Sequence, residues 1–159
     1  MSGFPEFGLD KYLRKMQDHG YTVAVYVQDT QTKNTTRSLS GIFSPGTYFA
    51  TESTEISNHI ISIWIEKLRP SVLNKTGKPS VYIGLSTVDI YTGKSYMFES
   101  QEQHSHSPST FDEIERFISI YNPNEVLITY RNFSETEIND IINFSYNIIV
   151  KNLKDNRYN

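Results

Sequence analysis

The sequence predicts an α/β protein in two parts: a short helix-and-strand segment, then a mixed sheet flanked by helices. Three observations carry this expectation. Strand-like runs rich in β-branched residues, His59 to Glu66, Val81 to Ile90 and Lys94 to Glu99, follow one another before a second helical pattern appears. Two amphipathic helical patterns then alternate with short apolar runs at Glu125 to Tyr130 and Asn147 to Lys151. Ahead of all these, the run Arg37 to Thr47 ends a strand in an abrupt Pro45-Gly46 turn, and the organisation changes from Asn58 onward.

Taken in order, Leu9, Tyr12, Leu13 and Met16 recur at helical spacing and form one apolar stripe, with Lys11, Arg14 and Lys15 outside it. His19 and Gly20 stand where a helix would be capped at its C-terminus. In the strand that follows, Tyr21, Val23, Val25 and Val27 share one face and Thr22, Ala24, Tyr26 and Gln28 the other, so both faces are expected to be partly covered. Asp29 to Thr36 is a polar surface loop leading into the next strand. There Ile42 and Phe43 offer packing surface before Pro45 removes a donor and Gly46 permits positive φ. One helix and two strands make only a small core, so this segment should lean on the second domain or on chain upstream of it.

In the second part, the His59 to Glu66 strand gives way to a polar loop from Lys67 to Pro79. The next two strands join in a hairpin near Tyr91 to Gly93, with Gly93 able to take the left-handed conformation. Thr110 with Glu113 spells a capping box, and Ile114, Phe117, Ile118 and Tyr121 form a buried stripe that Asn122-Pro123-Asn124 stops. Glu125 to Tyr130, apolar in its middle, reads as an interior strand covered on both faces. Ser134 and Glu137 repeat the capping box before Ile138, Ile141 and Ile142, and residues 152–159 read as a polar, frayed tail. The order β-β-β-α-β-α-β, a meander followed by crossovers, is that of a ribonuclease-H-like fold.

A chain of 159 residues with 37% hydrophobic content can bury a real core as one domain or two small ones. The net charge of -3 supplies no global positive field, which argues against tight autonomous nucleic-acid binding. The absence of cysteine excludes disulfides, thiolate catalysis and cysteine-bearing zinc sites. No apolar run reaches the roughly 18 residues of a spanning helix, and Met1 to Asp10 lacks the features of a signal peptide. The expectation is a soluble, intracellular chain with no membrane partner, of viral, mitochondrial, nuclear or bacterial origin.

Several stretches, in order along the chain, carry a family resemblance. They are G-F-P at Gly3 to Pro5, the tyrosine-bearing helix, G-Y-T-V-A-V-Y-V-Q from Gly20 to Gln28, and S-P-G-T from Ser44 to Thr47. Further on come Ile63 and Trp64, the spacing Gly84, Asp89, Gly93, and N-P-N-E-V-L from Asn122 to Leu127. Together they resemble the MutS family of DNA mismatch repair proteins, collinearly from Gly3 to about Tyr146. The resemblance implies that residues 1–50 are the C-terminal part of a mismatch-recognition domain and residues 51–151 a ribonuclease-H-like connector domain. Residues 152–159 would then be a tail or the start of a linker. The stretch Lys67 to Pro79 and the His104 to Pro108 linker depart from compact bacterial patterns and point to a divergent viral or organellar member.

What the resemblance implies for function is a noncatalytic segment that supports mismatched-DNA binding and couples it to clamp and ATPase domains absent from the chain. The full-length parent would be a DNA-dependent ATPase using ATP and magnesium, acting as a dimer on DNA. This chain carries no catalytic, cofactor or metal site in that reading, and it has no G-x-x-x-x-G-K-S/T phosphate loop. Phe4-Pro5-Glu6 has the spelling of the family's mismatch-reading motif, but it aligns with the later G-F-P turn, which leaves the reading pair outside the chain.

Lys33 and Arg37 are the candidates for contact with the DNA backbone, against the alternative of an ordinary solvated loop. Two other functions compete with this reading. A metal-dependent ribonuclease-H-like nuclease would use Asp89 with Glu99, Asp112 and Glu115, although a turn role for Asp89 accounts for it better. A general protein-interaction module is the other. His104 and His106 lack a third ligand for zinc, and His59 has no nucleophile paired to it by a motif.

Overall fold

The computed structural model describes residues 4–29, 36–47, 57–68, 79–103, 108–142 and 146–152. The chain divides into two compact units, Met1–Ile56 and Ser57–Asn159.

In the first unit a 3-10 turn at Glu6–Gly8 leads into α1, Leu9–Gln17. Leu13 and Gln17 are its buried residues. The apolar stripe is narrower than its spacing suggests, since Tyr12 and Met16 are each about half exposed. Gln17 is buried because its amide reaches across to donate to the Ser44 carbonyl, 2.9 Å away, a partner distant in sequence. The helix closes at Asp18, and Gly20, at φ 78°, reverses the chain. Strands β1, Val23–Asp29, and β2, Thr36–Phe43, pair antiparallel with a register shift between Val25 and Tyr26. Two expectations fail in this unit. The second face of β1 is open, with Tyr26 61% exposed, because the unit has no layer to set against it. Gly46 does not take positive φ: Thr47 N–H closes the turn on the Ser44 carbonyl, and the Thr47 hydroxyl accepts from Ser44 N–H. With Pro45 in the first central position, such a turn needs no left-handed residue.

The second unit is an α/β fold with a mixed sheet flanked by helices. Its strands are β3, His59–Leu68, β4, Ser80–Asp89, β5, Ser95–Gln103, β6, Glu125–Arg131, and β7, Asn147–Asn152. They lie in the order β5-β4-β3-β6-β7, with β3, β4 and β5 an antiparallel meander and β6 and β7 parallel to β3. Strand β3 runs on through Leu68, so Lys67 belongs to the sheet rather than to a loop. Gly93, at φ 70°, makes the β4–β5 turn as expected.

Helix α2, Asp112–Tyr121, fills the crossover from β5 to β6, and α3, Glu135–Ile141, the one from β6 to β7. The Ser134 capping box is present in full. At the other helix a 3-10 turn at Pro108–Phe111 precedes α2, so the N-cap is Phe111 rather than the expected Thr110, and Phe111 makes no side-chain cap bond. Asn122, at φ 41°, ends α2 in the left-handed region.

Alternate residues of the three central strands, Ile61, Ile63 and Ile65, Val81, Ile83 and Leu85, Val126, Ile128 and Tyr130, join Ile114, Phe117, Ile118 and Ile138 of the two helices in one cluster. Both helices therefore pack on the same face of the sheet, since successive side chains on a strand point to opposite faces. On the other face Trp64, Leu127 and Thr129 are half-buried and Ile149 is 50% exposed, so β6 is interior in its ladder without being covered on both faces.

Candidate nucleic-acid interface

Of the two candidate DNA-backbone residues, Lys33 lies outside the described residues. Arg37 is exposed on β2 and stands opposite Gln28 of β1. Cross-strand partners share a face, so Arg37 stands beside the pair Tyr26–Leu39, and the register shift beyond it brings the pair Ala24–Ile42 onto the same face. Tyr26 is 61%, Leu39 50% and Ile42 62% exposed. The result is a guanidinium at the end of an open, largely apolar face. That chemistry can hold one phosphate or pack against further protein. Phe4 packs on the ring of Tyr12, centroids 4.7 Å apart, and Glu6 starts the 3-10 turn ahead of α1.

The proposed carboxylate set is not brought together. Asp89 pairs across the ladder with His59, and Glu99 with Gly84. Gly84 and Asp89 are an odd number of residues apart on one strand, so the two carboxylates fall on opposite faces of the sheet. Asp112 and Glu115 are exposed on α2, and no group of three or more metal-ligating side chains occurs among the described residues.

Asp89 is instead a buried anchor. Its Oδ1 accepts from Asn58 N–H and Tyr91 N–H, each 3.1 Å away, and its Oδ2 accepts from the Thr92 hydroxyl at 2.6 Å. The Thr92 hydroxyl, then the Asn58 amide, hold its carboxyl below the usual range by stabilising the charged form. His59 stands nearby, Nδ1 3.4 Å from Thr87 Oγ1, with its ring against Tyr121. His104 and His106 lie outside the described residues.

Two features had no clear signal in the sequence. An open groove of about 420 Å³ on the helix-free face is lined by Trp64, Tyr82, Gly84, Met97 and Glu99 among others. The Tyr82 hydroxyl donates to Glu99 at 2.7 Å, which raises the phenol's pKa. The second feature is an ion pair between Lys67 and Glu137, with the Lys67 ammonium 4.6 Å from the centre of the Phe133 ring. Hydrogen bonds from Lys67 and from Ser134 N–H bring the Glu137 carboxyl down to about 2. Lys67 and Glu137 are 70 residues apart, so only the pairing of β3 with β6 could have linked them.

These features define a two-unit α/β protein that offers exposed surfaces and, among its described residues, no assembled metal cluster. Comparison with known proteins narrows the class. Residues 1–52 match the family MutS domain I. The chain is 30% identical over 135 residues to a mutS homolog of Acanthamoeba polyphaga mimivirus that is named as a DNA mismatch repair protein; the match covers 84% of this chain and 12% of that protein. It is 32% identical over 132 residues to the DNA mismatch repair protein MutS of Thermodesulfovibrio yellowstonii, covering 80% of this chain and 13% of that one. The chain is homologous to part of the MutS family, with viral and bacterial relatives alike.

Proposed function

We propose that the chain is a noncatalytic segment of a MutS-like DNA mismatch repair protein. In this reading residues 1–50 are the C-terminal part of a mismatch-recognition domain and residues 51–151 a ribonuclease-H-like connector domain. The segment supports mismatched-DNA binding and couples it to clamp and ATPase domains outside the chain. Its parent is a dimeric, DNA-dependent ATPase that uses ATP and magnesium.

The observation that carries the reading is an order of elements. A stretch matching MutS domain I is followed directly by a sheet ordered β5-β4-β3-β6-β7, a three-stranded meander extended by two parallel strands through helical crossovers. That order is the one expected of a ribonuclease-H-like domain. Engagement of both Asp89 oxygens by local donors further disfavours the nuclease alternative.

The test is a graft of residues 1–152 in place of the aligned segment of the Thermodesulfovibrio yellowstonii protein, with ATP hydrolysis measured on matched and mismatched duplexes. The expected result is hydrolysis that still responds to the mismatch. A graft that folds and hydrolyses ATP without any response to DNA would sink the coupling role. By itself the chain should bind duplex DNA weakly and in a salt-sensitive way, because its charge is -3 and its cationic candidates are few. Its mismatch selectivity should be poor, because Phe4 and Glu6 align with the later G-F-P turn rather than with the mismatch-reading pair. Fluorescence anisotropy measures this, and a strong mismatch preference at physiological salt would return Phe4 and Glu6 to consideration.

A further inference from the structure

The second unit begins at Ser57, and Asn58, the next residue, is held from two sides. Asn58 is only 3% exposed. Its N–H donates to Asp89 Oδ1 at 3.1 Å and its carbonyl accepts from Ile90 N–H at 2.9 Å, which ties it to the β4–β5 hairpin. Its side-chain Oδ1 accepts from Asn124 Nδ2 at 2.9 Å, which ties it to the turn between α2 and β6. Asn124 N–H also donates to the His59 carbonyl at 2.9 Å, and its own carbonyl accepts from Asn147 Nδ2 at the start of β7. The first residues of a domain ordinarily fray unless tied down. Here the tie joins the starts of β3, β6 and β7 and the end of β4.

A turn alone does not require this arrangement. Tyr91 and Thr92, two and three residues on, would satisfy Asp89 locally, whereas Asn58 is 31 residues away. A buried carboxylate is tolerated only when hydrogen-bonded, so the local donors make the anchor possible. The long-range contact to Asn58 is what it then holds.

We propose that Asn58, Asp89 and Asn124 form a clamp at the chain's entry to the second sheet, so that a displacement arriving along the chain at Ser57 passes to the β4–β5 hairpin and the α2–β6 turn together. The three are positioning residues. The inference rests on the geometry of this pole of the sheet and is independent of the mismatch-repair reading.

The test uses the whole chain with Asp89→Asn and, as a milder lesion, Asn124→Ala. Amide exchange should quicken about tenfold at Asn58 and Tyr91 in Asp89→Asn, the effect of exchanging a charged acceptor for a neutral one, with Ile63 and Ile128 unchanged. Spin labels placed one on α1 and one on α2 should give an altered between-unit distance distribution in both variants, while a label pair within the second unit keeps its distribution. An unchanged between-unit distribution in both variants would overturn the clamp, reducing Asp89 to a local turn residue. Faster exchange spread across Ile63 and Ile128 would overturn it too, by making the effect one of global stability.

Discussion

Truncation of Phe117 to alanine measures whether α2 carries the core of the second unit. The ring is 8% exposed and lies in the cluster with Ile114 and Ile118, its centroid 4.7 Å from that of Tyr121. Phe-to-Ala changes in cores cost about 3–5 kcal/mol through lost transfer energy and the cavity left behind. The site sits at the rim of the cluster beside half-buried Tyr121, which can relax into part of the space, so we expect the low end, about 3 kcal/mol. Loss of the ring pair accounts for about 0.5–1.5 kcal/mol of that. The assay is urea unfolding followed by fluorescence of Trp64, the chain's single tryptophan, which lies on β3 and so reports on the second unit. With a slope of about 1–3 kcal/mol per molar, the midpoint should fall by about 1–3 M at unchanged slope. A fall of less than about 0.5 kcal/mol would refute the buried-face reasoning, because exposed substitutions cost no more than that.

The Lys67–Glu137 pair makes stability depend on acid. The Glu137 carboxyl is depressed from 4.5 to about 2, so its contribution is complete above pH 4.5 and is lost as pH falls toward 2. With 41% of the Glu137 side chain exposed, solvent screening limits that contribution to about 1 kcal/mol; the stability gap between wild type and Glu137→Gln in urea melts should narrow over that pH window. Ser134→Ala removes a complete capping box and should cost about 1 kcal/mol in the same melts. Gly93→Ala meets no atom within 4 Å but keeps φ at 70°, so a loss of about 1 kcal/mol would be pure backbone strain. Arg116→Ala, at a side chain 70% exposed with only a 3.5 Å contact to Glu113, should change stability by less than about 0.5 kcal/mol.

The second unit was legible because its signals are local and agree with one another. Val126 to Ile128 is apolar enough to require an interior strand, Gly93 and Asn122 stand where the backbone turns left-handed, and Ser134 with Glu137 caps a helix in the way its letters suggest. Thr110 with Glu113 has the same letters, yet the N-cap of α2 is Phe111. The difference is the preceding Pro108 turn, which takes up Thr110 as a residue 4% exposed and starts the helix later. What stayed hidden is whatever depends on contacts between segments distant in sequence. Gln17 reaches Ser44, Lys67 reaches Glu137, and Asn58 meets Asp89, across 27, 70 and 31 residues of sequence that no local window spans. Arg37 was legible as an exposed cation two residues from Leu39 on one strand, but the arrival of Ile42 on the same face, opposite Ala24, depends on the register shift in β1 and β2.

The two units differ in how far they can sustain themselves. Fourteen buried side chains form the cluster of the second unit, whereas Leu13 and Val25 are the buried apolar residues of the first among those described. A two-stranded sheet is marginal in water without further strands or a helix packed on it, and α1 contributes only Leu13 to the buried apolar residues described. Here Phe7 is 92% and Tyr21 60% exposed, and the stripe of Tyr26, Leu39 and Ile42 is open as well. Apolar surface of that extent contributes little until something covers it, at roughly 25 cal/mol per Å² buried. The first unit therefore has the composition of a face to be completed, while the second has that of a self-supporting body. Stability measured through Trp64 belongs to the second unit alone, and any role of Arg37 has to be judged with the face beside it covered.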